Sequence, residues 1–153
     1  MTFVVRLAQP NESDFLRLLP LLKSFSDEHQ MGALSGEGFD LDKAIPEIAA
    51  TVGCKTWIAE NDAGVIVGSI GLQLTSSWYS TKKHYIDNWI YVLPEYRATG
   101  VAMELIKQVK EFAKTSEHSI VLALYNMEDT ERKIKFFQRA GLKLAGALFY
   151  VGE

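Results

Sequence analysis

Residues 93–106 read LPEYRATGVAMELI. The run before them, HYIDNWIYV (84–92), is aromatic and β-branched and predicts a strand that Pro94 brings to an end. After them Ala102, Leu105, Ile106, Val109, Phe112 and Ala113 recur at helical spacing and predict an amphipathic helix. Almost nothing separates the two elements except Arg97-Ala98-Thr99-Gly100. A helix N-terminus leaves about four backbone N–H groups unpaired and carries partial positive charge, so it accepts anions. Gly100 has no Cβ, and Ala98 and Ala102 add little bulk, so several amides can converge on one phosphate. The hexapeptide RATGVA is not a Walker loop, since no Gly-Lys-Ser/Thr follows, and it is not a G-x-G-x-x-G fingerprint. Alone, it reads equally well as a plain strand-to-helix turn.

The rest of the chain decides between these readings. FVVRL (3–7) predicts a first strand, and QPNES a turn with Asn11 or Ser13 as helix cap. Phe15, Leu18, Leu19, Leu22 and Phe25 predict a helix over 14–28, kinked or divided at Pro20. MGALSGEGFD is a Gly-rich loop. A second helix follows over 42–52, its proper start as late as Pro46. KTWIAE and GVIVGSIGLQL form a hairpin through Asn61-Asp62-Ala63-Gly64. SIVLALY is a short apolar run suited to a strand buried on both faces. EDTERKIKFFQRAG is an amphipathic helix closed by Gly141 as a left-handed cap. LKLAGALFYVG supplies one or two last strands. The expected fold is mixed α/β, order β-α-α-β-β-β-α-β-α-β-β, with about four helices flanking a mainly antiparallel sheet.

Bulk properties bound the function. A chain of 153 residues with 48% apolar and 23% charged residues suits one soluble domain, taken as 1–153. A net charge of −3 argues against a general nucleic-acid binder. The N-terminus lacks a signal-peptide run, and no apolar stretch approaches the roughly 20 residues a membrane span needs. A lone cysteine, Cys54, fits a reducing compartment and reads as a small buried hydrophobe. A cytoplasmic protein without nucleic-acid or membrane partners is expected.

On this scaffold the chain resembles the GCN5-related N-acetyltransferase (GNAT) superfamily. Arg97, Gly100 and Ala102 match that family's acyl-CoA motif, Q/R-x-x-G-x-G/A, and YVLPEYR matches the usual entry to it. IKFFQRAGLKLAG (134–146) looks like the family's final helix and following strand. The resemblance implies transfer of an acetyl group from acetyl-CoA to a primary amine by direct attack, without a metal. It implies pyrophosphate held by backbone amides of Arg97, Ala98, Thr99, Gly100, Val101 and Ala102. Val92 and Leu93 would hold the acetyl and pantetheine arm by strand-like hydrogen bonds, and their N–H groups are candidates for stabilising the carbonyl oxygen. Asn126 and Arg132 or Lys133 are further candidates toward the pantetheine or adenosine phosphates, weighed against a solvated helix face.

The catalytic residues depart from the family pattern. Phe136-Phe137 stands where relatives carry Phe-Tyr, so the usual proton donor to sulfur is missing, and Tyr125 and Tyr150 are candidate substitutes. Thr130 replaces the Asn that commonly opens this helix. The position where relatives often carry Glu is Asn88, with an acid next door at Asp87. Strict alternation puts Asp87 and Asn88 on opposite faces, so Asp87 reaches the acyl carbon only if the strand bulges. His84 shares the face of Asn88 and is a second candidate base; deprotonation through water is a third route. Trp78, Tyr79, Tyr85, Asp87 and Trp89 cluster on and before this strand. They suit a cationic amine by cation–π and charge pairing, or equally fill the sheet face or a dimer contact. The first two helices and residues 31–40 would wall the acceptor, a small-molecule or peptide amine, and a homodimer is left open. An acyl-CoA-binding sensor or interaction module without efficient chemistry is the alternative reading.

Overall fold

A computed structural model describes residues 2–28, 38–124, 128–149 and 151. The elements run β1 (Phe3–Leu7), α1 (Glu12–Glu28), α2 (Leu41–Cys54), β2 (Lys55–Asn61), β3 (Ile66–Ser76), β4 (Lys83–Val92), a 3-10 turn (Pro94–Tyr96), α3 (Val101–Thr115), β5 (Ser119–Val121) and α4 (Thr130–Arg139). The five strands form one sheet in sequence order. The first three pairings are antiparallel and β4–β5 is parallel. The mixed, mainly antiparallel α/β architecture is the one expected. Among the described helices none is long and apolar enough to cross a membrane.

Alternation along the strands divides the core between the two faces of the sheet. Trp57 and Ala59 of β2 face α3, where they join Leu72, Val92, Val101, Leu105 and Val109. Ile58 points the other way, into a cluster with Leu18, Leu22, Ile48, Val52, Trp89 and Tyr91 under α1 and α2. Gly68 lets α3 lie close: a Cβ there would stand 2.9 Å from the Val101 side chain. Asp14, buried at the start of α1, receives two hydrogen bonds from the Arg6 guanidinium and also pairs with Arg17. Glu60 on β2 pairs with the same two arginines, so β1, α1 and β2 share one charged network.

Local chemistry sets the element ends. Asn11 caps α1, its Oδ1 accepting from the Asp14 N–H, and the helix runs through Pro20 without dividing. Asp40 caps α2 through the Lys43 N–H, so this helix starts at Leu41 rather than at Pro46. Asn61 Oδ1 accepts from the N–H groups of Ala63 and Val65, and Gly64 takes a φ of 76°, which closes the expected hairpin. Gly141, with φ 90°, terminates α4 as expected: its N–H bonds Gln138 O and that of Leu142 bonds Phe137 O.

Three expectations are corrected. Residues 142–149 form no strand, because none of the five strands extends its pairing to them. The buried strand expected over 119–125 is shorter and shallower: β5 covers three residues and only its middle one is partly buried. Cys54 is exposed, since α2 gives way directly to β2 at the sheet margin and the thiol is left outside the core.

Candidate active site

The sheet parts where the sequence places the chemistry. β4 and β5 pair only from His84 to Ile86, against Ser119 to Val121. Beyond that, the β5-side edge of β4 up to Val92 has no strand neighbour among the described residues. On its other edge β4 stays paired with β3, but the register slips: Gly71 opposes Trp89, and the next residue, Leu72, opposes Asp87. Asn88 is therefore an extra residue, a β-bulge.

The bulge resets which way the side chains point. Trp89 lies on the α1–α2 face, its Nε1 donating to Ser69 Oγ at 2.9 Å. Asn88 lies on that same face, its Nδ2 donating to Thr51 Oγ1 of α2 at 2.7 Å. Two successive residues on one face turn Asp87 to the other, the face that Ile90 and Val92 share with α3. Tyr85, two residues further back, has the same parity, since its ring packs on Phe112 of α3. Asp87 is 7% exposed, and its Oδ1 accepts from the Ala123 N–H at 2.6 Å, just past the end of β5. Burial pushes its carboxyl up to about 6, with the Ala123 N–H and its own backbone N–H pulling the other way. His84 lies on the opposite face, with Asn88, so the two candidate bases do not converge.

The end of β4 supplies the remaining groups. The Leu93 N–H donates to Val67 O at 2.9 Å and continues the ladder with β3. It is thus engaged in the sheet, which corrects its candidacy as an oxyanion donor. By antiparallel alternation the neighbouring Gly68–Val92 pair is the non-hydrogen-bonded kind, so the N–H and C=O of Val92 point to the open edge. Arg97 Nε donates to that carbonyl at 3.0 Å.

The loop after the 3-10 turn is built as a cradle. Tyr96, Arg97 and Thr99 donate their N–H groups back to Leu93, Pro94 and Tyr96. Gly100 caps α3 with φ 87°, and the first helical hydrogen bond is Glu104 N–H to Gly100 O. Among the described residues nothing accepts from the N–H groups of Ala98, Gly100, Val101 and Ala102. A Cβ at Gly100 would meet nothing within 4 Å, so the cradle opens on free space. On α4, Arg132 is exposed and paired with Asp129, whereas Lys133 is half-buried. Burial lowers the Lys133 pKa, with Asp129 and Glu28 opposing that, and its ammonium donates to the Glu128 carbonyl at 3.0 Å.

The aromatic residues do not form one wall. Trp89 is 4% exposed and fills the core, and Tyr85 packs between Phe112 and His118. Both are therefore packing residues here, a correction to the acceptor cluster. Trp78 is 95% exposed at the turn beyond the far end of β4, stacked edge-on with Tyr79. Phe137 packs with Phe136 against the α3-side core. Tyr125, Asn126, Tyr150 and most of the acceptor loop lie outside the described residues. Among the described residues no group of three His, Cys, Asp or Glu side chains is placed to hold a metal ion.

One feature escaped the sequence reading. Glu28, the last residue of α1, accepts hydrogen bonds at 2.7 Å from both Tyr91 Oη and Arg97 Nη2. No local pattern marks it, since its partners are 63 and 69 residues away.

Solved structures share this architecture along nearly the whole chain. The aminoglycoside 6′-N-acetyltransferase AAC(6′)-Ih of Acinetobacter baumannii aligns at 16% identity and a TM-score of 0.65, over 99% of this chain and 98% of that one. AAC(6′)-Iy, bound to the bisubstrate analogue CoA-S-monomethyl-acetylneamine, aligns at 17% and 0.70, over 100% and 99%. Glucosamine-6-phosphate N-acetyltransferase of Arabidopsis thaliana aligns at 15% and 0.64, over 99% of both. At these identities the likeness is one of fold. Residues 53–143, from the end of α2 through α4, match the family described as the acetyltransferase (GNAT) domain. That match spans more than half the chain and includes β4, its bulge and the amide cradle; the chain belongs to the GNAT acetyltransferase domain family.

Proposed function

We propose that this chain transfers an acetyl group from acetyl-CoA to a primary amine by direct attack of the amine. The observation that carries the reading is the bulge at Asn88. It turns a buried carboxylate, held near 6, onto the face of Val92, one strand end away from an open cradle of backbone amides. The cradle fits a pyrophosphate, because Ala98, Gly100, Val101 and Ala102 offer N–H groups and Gly100 leaves room. The thioester would supply an activated acyl carbon and a sulfur leaving group whose thiol pKa is near 8.5.

Asp87 is then the general base, taking the amine proton directly or through one water. Such a group contributes about 10²- to 10⁴-fold when its pKa lies near the working pH. The Val92 N–H faces the open edge and is the donor for the developing oxyanion. The acceptor is a small-molecule or peptide amine. Structures of this fold are named for aminoglycosides and for an amino-sugar phosphate, so the sheet alone does not set the acceptor. The reading takes the chain as one cytoplasmic domain.

A second reading has its own support. Phe137 gives no hydroxyl to the leaving sulfur, and Asn88 is committed to Thr51, as in a module that binds acyl-CoA without efficient chemistry. Thiol release from acetyl-CoA across a panel of amines separates the two, with Gly100→Trp expected to abolish both binding and turnover. Saturable acetyl-CoA binding with no turnover on any amine favours the module. Acetyl-CoA at 100 times its dissociation constant stabilises a protein that binds it by about 2.7 kcal/mol, and no stabilisation at all would sink both readings.

A further inference from the structure

Arg97 lies where the donor reading needs open backbone. Its Nε holds the Val92 carbonyl at 3.0 Å, and a ligand amide adding to the free edge of β4 as a strand needs that same carbonyl. The guanidinium is kept there by more than this bond. Nη2 donates to Glu28 Oε2 at 2.7 Å, Tyr91 Oη donates to the same oxygen at 2.7 Å, and the Arg97 carbon Cζ lies 5.5 Å from the centroid of the Tyr91 ring. Glu28 therefore ties the end of α1 to the first residue of the cradle. The Arg97 and Glu28 side chains are 46% and 35% exposed, so the ion pair is shallow enough to break.

Resting on the acetyl-CoA reading, we propose that Glu28 is a positioning residue that latches Arg97 over the Val92 carbonyl, and that a bound pyrophosphate releases it. A diphosphate on the cradle amides adds negative charge beside Arg97 and competes with the single carboxylate of Glu28 for the guanidinium. Arg97 turns to the phosphates and the Val92 carbonyl is uncovered for the pantetheine arm. Glu28 opposes acetyl-CoA in this arrangement, whereas a residue that merely held Arg97 ready for phosphate would assist it.

The two roles predict opposite signs. Acetyl-CoA affinity is measured by titration calorimetry on the full chain at low and at moderate salt. Glu28→Gln is expected to tighten binding about two- to five-fold, the worth of one partly exposed ion pair, with the gain shrinking as salt rises. Tyr91→Phe keeps the ring under Arg97 but frees Glu28 of one bond, and should tighten binding less. In an Arg97→Gln background, Glu28→Gln should change nothing. Asp27→Asn, which removes a neighbouring charge paired with Lys23, controls for general electrostatics. Weakened or unchanged binding in Glu28→Gln overturns the latch alone, as does equal tightening by Asp27→Asn. Absence of saturable binding in the wild type overturns the acetyl-CoA reading and the latch with it.

Discussion

Replacing Asp87 by Asn should move activity and stability in opposite directions. The carboxylate is nearly enclosed, and burial lifts its pKa from the ordinary 3.8 to about 6. Each pKa unit is worth about 1.4 kcal/mol, so the ionised form costs about 3 kcal/mol of folding stability as an upper figure. Both forms of the chain carry a protonated Asp87 below 3.8, and there the cost is nil. It grows as pH rises from 3.8, where the unfolded chain releases the proton, and is complete above about 6, where the folded protein does too. The amide introduced by Asp87→Asn presents the same oxygen to the Ala123 N–H without the charge. The variant is therefore expected to be more stable than wild type by about 1–3 kcal/mol at about pH 8 and equal to it near pH 4. Urea unfolding at several pH values checks this. Over the same range the wild-type rate should rise through about pH 6 and level off, while the variant loses about 10²- to 10⁴-fold. A variant that is less stable in the alkaline range, or whose stability difference ignores pH, refutes the burial argument. A variant with an unchanged rate refutes Asp87 as base.

Two further substitutions test the packing at the bulge and the charged network of β1, α1 and β2. Gly71 opposes Trp89 at the bulge, and a Cβ there would stand 2.4 Å from the Trp89 ring and 2.8 Å from Thr51 Cγ2, both buried. Gly71→Ala should cost about 2–4 kcal/mol, at or above the usual overpacking range, read as a lower urea midpoint at unchanged slope. Asp14, whose carboxyl is held below its ordinary range chiefly by Arg6, contributes stability that is present above pH 3.8 and lost as pH falls through its depressed pKa. Asp14→Asn should cost about 2–3 kcal/mol at neutral pH, below the figure for a fully buried pair because both arginines are one-third exposed. The gap from wild type should close as pH drops below about 4, and a constant gap would count against the ion network.

Much of the loop geometry before α3 was legible in the residues because it is local. A strand ending at Pro94, a glycine without Cβ and a helix beginning at once describe an amide cradle from a short run of consecutive positions, and Gly100 indeed takes a positive φ at the helix start. The hairpin at Asn61 and the cap at Gly141 were legible for the same reason: turn chemistry acts between near neighbours in the chain. The rest depends on partners distant in sequence. Nothing in LKLAGALF itself shows that residues 142–149 lie outside the five-stranded sheet. Trp89 and Tyr85 look like ligand aromatics in a string, and only the helices packed on each face show them to be core.

The sequence by itself determined the scaffold and the loop of open backbone amides, since hydrophobic periodicity and the conformational needs of Gly100 are properties of neighbouring residues. The tertiary structure decided which candidate groups face the open edge of β4. Alternation alone points Asp87 and Asn88 to opposite faces but cannot say which face each takes. A bulge set by the pairing of Gly71 with Trp89, and by the bond from Asn88 to Thr51, turned the acid toward Val92. Enclosure then raised its pKa, and burial of a charge is a property of the packed molecule. Glu28 met Arg97 for the same reason: 69 positions separate them along the chain, and the fold brings them to 2.7 Å.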